Sequence, residues 1–147
     1  MTDYDYFYEP LFELESTLDH ISYPGFQGDE WIIEAKTLIH NYQRYKDEVE
    51  RGQSLSYMRG TFILNNRHQN IQAYMHVYLQ IPYKGTESLR AVKRADQATQ
   101  AKHNEIVAVK TYDEHRSTIT PALYALSEQK QGDDGPIPGG YIVYIVF

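Results

Sequence analysis

The chain has 147 residues, 41% hydrophobic and 23% charged, with no cysteine and a formal net charge of −6. That length suits a single domain with a core of its own, and the composition excludes wholesale disorder. The missing thiols exclude a disulfide framework, a thiolate zinc site and a cysteine nucleophile, and the acid excess argues against phosphate-backbone binding by the whole surface.

Charge is unevenly spread. Residues 1–35 hold nine acids and no Lys or Arg, whereas residues 51–110 hold nine bases against three acids. The first stretch, Asp3-Tyr4-Asp5-Tyr6-Phe7-Tyr8-Glu9, alternates tyrosine with acid and predicts an extended segment with a tyrosine face. Pro10 then suits a helix start, and Leu11, Leu14, Leu18 and Ile21 make one apolar stripe that ends at Tyr23-Pro24-Gly25. Trp31, Ala35, Leu38, Tyr42, Tyr45 and Val49 keep helical spacing behind Asp29 and Glu30, with Gly52 as a C-terminal cap. The spacing predicts a second helix over 31–49 and, with the short loop between, an N-terminal helical hairpin.

The period then changes to two. Thr61-Phe62-Ile63-Leu64 reads as a strand and Asn65, Asn66 and Asn70 as turn residues. From 71 to 83, Ile71, Ala73, Met75, Val77, Leu79 and Ile81 alternate with Gln72, Tyr74, His76, Tyr78 and Gln80, which predicts a long strand pairing back as a hairpin. Residues 87–103 are alanine-rich and basic and predict a helix. Ile106 to Val109 looks like a strand, with one helix running on to Asp113 as the alternative. Thr120-Pro121 is a helix start, with Leu123, Tyr124 and Leu126 on its buried side. Residues 131–140, with four glycines and two prolines, form a loop, and 141–147 is apolar on both faces and reads as a central, doubly covered strand. The expected fold is one α+β domain over residues 1–147: the helical hairpin plus an antiparallel sheet of about four strands with packed helices.

Catalytic signatures are scarce. The phosphate-binding, dinucleotide, zinc-protease and nucleophile-elbow motifs are missing from the sequence. Two His-x-Ser tripeptides, at His20 and His115, leave a small phosphodiesterase-like hydrolase open, provided the two imidazoles converge as acid and base. His76 and His68 lack enough neighbouring ligands for a metal centre, so neither metal nor cofactor is expected. The apolar run at 141–147 is too short to cross a bilayer, and no basic segment leads into an apolar one near Met1, so a cytoplasmic protein without a signal peptide or membrane contact is expected.

Surface chemistry carries the functional expectation. An acidic segment rich in tyrosine can present carboxylates to the basic groove of a nucleic-acid-binding protein. The expected function is a non-enzymatic protein-binding module, in its sharpest form an acidic inhibitor or decoy of such a protein. Its contact residues would be Asp3, Tyr4, Asp5, Tyr6, Glu13, Glu15 and Asp19. The row Tyr74, His76 and Tyr78 is the second candidate face, because tyrosine joins a large contact area to a polar tip. Two further readings stand beside it: a structural subunit of a viral or other assembly, self-associating as a homo-oligomer, and a nucleic-acid binder acting through the basic stretch 84–102.

Overall fold

A computed structural model of the chain describes residues 31–51, 56–66, 68, 70–115 and 125–146. Five strands are present there: β1 (Trp31–Tyr42), β2 (Tyr57–Asn66), β3 (Ile71–Gln80), β4 (Ala125–Lys130) and β5 (Tyr141–Val146). They form one open antiparallel sheet in the order β1-β2-β3-β5-β4. Three short helices accompany it: α1 (Lys46–Glu50), α2 (Ala91–Arg94), extended by a 3-10 turn at Ala95–Gln97, and α3 (Asn104–His115). The α+β class is as expected, with five strands in place of about four. Among the described residues no helix is long and apolar enough to cross a membrane.

The centre of the sheet follows from alternation. In β2 and β3 every second side chain points to one face, and the pairing from Tyr57↔Gln80 to Asn66↔Ile71 keeps those faces in phase. Asn70 closes the hairpin with φ 52°, a left-handed conformation that asparagine tolerates, and its N–H donates to Asn66 O at 2.9 Å. Phe62, Leu64, Met75, Val77 and Leu79 are sealed from water on the resulting apolar face, joined by Trp31 and Ile33 of β1. Strand β5 lies between β3 and β4 and is buried along its whole length, as its two apolar faces predict.

Four expected elements are corrected. The helix predicted over 31–49 is instead β1, a turn and the single-turn α1. The helical hairpin therefore loses its second arm. Its first arm, at 11–21, lies outside the described residues. The misreading has a definite cause. The register of β1 against β2 shifts between Ile33 and Ala35 and again between Lys36 and Leu38. Each shift inserts one residue and turns a spacing of two into three, so a bulged strand imitates a helical stripe. Trp31 in fact faces the apolar core, while Ala35, Leu38 and Tyr42 are paired with Ile63, Thr61 and Tyr57, which face the opposite side.

The helix predicted over 87–103 is reduced to α2 and its 3-10 turn, followed by an irregular run from 98 to 103. The strand read at 106–109 gives way to the helical alternative, as the separate α3 and not as one helix continuous from 87. Its β-branched residues favour a strand locally, but Ile106 and Val109, three apart, share the helix face that packs on the sheet, while Val107 is exposed. The helix predicted to start at Thr120 and run through Leu126 gives way to β4 at Ala125; residues 120–124 lie outside the described set. Leu126, Glu128 and Lys130 alternate along β4, an edge strand among the described residues.

The 131–140 loop is a loop as expected, and a chain of glutamines ties it to the sheet. Gln131 donates through Nε2 to the carbonyls of Gln80 (2.8 Å) and Tyr141 (2.9 Å), and its Oε1 accepts from the Ile137 N–H at 2.9 Å. Gln80 in turn donates to Gln97 O and accepts from the Thr99 N–H. Gly135 and Gly140 are required beside these amides, because a Cβ there would stand 2.7 Å from Gln131 Oε1 or 2.6 Å from Gln80 Oε1.

Candidate functional site

Strand register assembles the polar face of the sheet in rows. Tyr42, Tyr57 and Gln80 pair across β1, β2 and β3; the next row is His40, Arg59, Tyr78 and Val143; the third is Leu38, Thr61, His76 and Ile145. Helix α3 lies over the β3-β5-β4 side of this face, where Ile106 packs with Tyr78, Tyr141, Val143 and Ile145. Its first turn brings Glu105 down onto the second and third rows.

Glu105 organises a compact charged cluster. Its Oε1 lies 2.8 Å from His76 Nδ1, and its Oε2 accepts from Arg59 Nη2 at 3.4 Å. Arg59 also donates through Nε to the Tyr78 hydroxyl at 3.0 Å, and its guanidinium carbon lies 5.7 Å from the centre of the Tyr78 ring. The same guanidinium approaches His76 Nδ1 at 3.2 Å. A carboxylate can only accept, so Nδ1 carries the proton and donates to Glu105, and the guanidinium faces that nitrogen without a bond to it. Burial by itself would raise the Glu105 pKa, but the His76 hydrogen bond and the charges of His76 and Arg59 outweigh it and hold the carboxyl below its ordinary value. Burial pushes the Tyr78 hydroxyl up to about 12, against the hydrogen bond from Arg59. The cluster is thus a carboxylate answered by a guanidinium and an imidazole N–H, with its phenol neutral.

An aromatic group adjoins it. Tyr42 stacks on Tyr57 at 4.8 Å between ring centres, and the His103 ring sits 4.3 Å from Tyr57 and 4.5 Å from Tyr78. His103 Nε2 is 2.7 Å from the Tyr141 hydroxyl. Burial lowers its pKa to about 4, against the pull of Glu105, so the imidazole is neutral at physiological pH. The His103 carbonyl accepts the N–H of Val107, fixing this ring at the start of α3.

Of the sequence-predicted face, His76 and Tyr78 are brought together by Arg59 and Glu105. Tyr74 stands apart further along β3, 57% exposed. Asp3, Tyr4, Asp5, Tyr6, Glu13, Glu15 and Asp19 lie outside the described residues, as does His20. His115 ends α3, on a helix where a paired His-x-Ser arrangement wants a strand. In the basic stretch, Arg94 is engaged structurally, donating to Pro136 O at 2.8 Å and to Leu89 O. Among the described residues no group of three or more His, Asp or Glu side chains is placed to hold a metal ion. Sequence reasoning missed Arg59, Glu105, His103, Tyr57 and Tyr141. Arg59 was within reach, because extending the 61–64 strand backwards through the hairpin register pairs it with Tyr78.

The β1-β2 side of this face is more open. Leu38 is 50% exposed and Tyr42 37%, with Tyr74 beyond them. The chain matches no protein-family model, no curated protein and no solved structure.

Proposed function

We propose that the chain is a non-enzymatic protein-binding module. Its contact surface is the open side of the polar sheet face, where Leu38, Tyr42 and Tyr74 stand in solvent beside the Arg59–His76–Glu105 cluster. The observation that carries the reading is this pairing of exposed aromatic and aliphatic groups with charges already satisfied within the molecule. Large aromatic anchors ringed by neutralised polar groups favour association, since little charge must be stripped of water. The acids of residues 1–35 add a long-range field that speeds encounter with a basic partner, the charge type of a nucleic-acid-binding protein. The division of labour is then anchors for affinity and acids for rate.

Capture from cell lysate at low and high salt tests both parts. A partner held by the wild type and lost by Leu38→Lys/Tyr74→Lys supports the surface; equal capture by both overturns it. The Glu13→Lys/Glu15→Lys/Asp19→Lys variant should associate more slowly at low salt and match the wild type at high salt. Turnover of linear or cyclic oligonucleotides by the purified chain would instead establish the hydrolase reading.

A further inference from the structure

A concavity lies on the same side of the sheet as α3. It is an open cleft of about 640 Å³, bounded by the irregular 98–101 run, strands β4 and β5, and the middle of α3. That volume falls within the range of small-molecule sites. Its chemistry is divided. The buried Tyr141 and Val143, with Ala98 and Ala101, supply an apolar part. The charged part holds Lys110, Glu128 and Lys130. Lys110 Nζ is 2.8 Å from Glu128 Oε1, so these two cancel. Lys130 has no counter-ion among the described residues, which leaves the lining with one uncompensated positive charge.

We propose that this cleft binds a small monoanionic amphiphile, a carboxylate or sulfonate carried on an apolar ring or chain. The anionic head lies toward Lys130, whose flexible stem lets the ammonium follow it, and the apolar body rests against Ala98 and Ala101, over a floor formed by the buried Tyr141 and Val143. A dianion is poorly matched, since Glu128 stands in the same lining and the net charge to be answered is one. The walls are held in place without help from the ligand: the Thr99 N–H is bonded to Gln80, and the Gly139 N–H to Gln131 O. A site built in advance costs little ordering on binding.

The probe is anilinonaphthalene sulfonate, a monoanion with an apolar body that fluoresces when removed from water. The wild type should bind it at one saturable site, and the uncharged parent anilinonaphthalene should bind at least about tenfold more weakly. Lys130→Glu should weaken sulfonate binding by about tenfold or more, whereas Glu128→Gln, which releases Lys110 from its partner, should tighten it several-fold. A merely structural role for Glu128 cannot produce that tightening, so this variant keeps the test decisive should another fail to fold. Ala101→Trp should fill the cleft and abolish binding, and Val92→Lys, at an exposed position of α2 outside the lining, should leave it unchanged. Lack of saturable binding, equal binding of the neutral parent, or indifference to the Lys130, Glu128 and Ala101 changes would each overturn the proposal.

Discussion

On one face of the sheet Phe62, Leu64, Met75, Val77 and Leu79 are sealed from water, and none of them carries a group that titrates or demands a partner. On the other, the same two strands present Arg59, His76 and Tyr78, joined by Glu105 and His103 from the start of α3. The first face holds through apolar burial and close packing, which respond to volume and scarcely to pH. The second holds through charges and hydrogen bonds whose worth depends on protonation. The strands β2 and β3 therefore carry stability on one side and responsiveness on the other, with a one-residue offset separating the two.

The contrast can be broken first at the dry face. Phe62→Ala removes a fully buried ring and should cost about 3–5 kcal/mol in urea titration at pH 7. A loss under about 1 kcal/mol would remove this face from its structural role.

On the polar face, His103 titrates near 6.5 in the unfolded chain but only near 4 in the fold. Between those values the unfolded state binds a proton that the folded state refuses, so stability is full above 6.5 and falls as pH drops toward 4. Allowing for the partial exposure of the ring, the fall should be about 1–3 kcal/mol. Thermal melts across that window measure it, and His103→Phe should flatten the slope while keeping an aromatic ring between Tyr57 and Tyr78.

A smaller effect is expected from Glu105→Gln, about 1–2 kcal/mol at neutral pH, because the cluster is partly hydrated. The depressed carboxyl pKa means that this contribution is present above 4.5 and lost as pH falls through the lower folded value. Wild type and variant should thus converge in acid, and a gap that persists would assign the loss to packing instead. Least of all should come from Leu38→Ala, within about 0.5 kcal/mol, since half of that side chain is in solvent. A large loss in chemical denaturation would bury Leu38 and close the proposed contact surface.

How far this contrast was legible depended on whether local pattern and tertiary pairing agreed. The β2-β3 hairpin was readable because alternation and the Asn66–Asn70 turn specify the same register. The buried β5 was readable because an unbroken apolar run of that length has few other homes. Strand β1 was not, because its two bulges change the period in a way that a partner strand reveals and a lone sequence conceals. Helix α3 was hidden by its β-branched residues, which only the packing of Ile106 and Val109 overrules. The site suffered accordingly. His76 and Tyr78 could be placed on one face, but Glu105 and His103 reach them across about 30 residues of sequence, a distance that no periodicity spans.

The glutamine at position 131 is recognised much as a base edge is recognised in a groove, by an ordered pattern of donor, donor and acceptor. Two carbonyls and one N–H read that pattern, and each of its three valences is spent within 2.9 Å. Glutamate, identical in shape, would offer oxygen to both carbonyls and turn two attractions into repulsions. Asparagine would keep the pattern and fall one carbon short. The loop that frames the cleft therefore specifies its residue by the exchange of a single atom, a discrimination that hydrophobic packing on the opposite face never has to make.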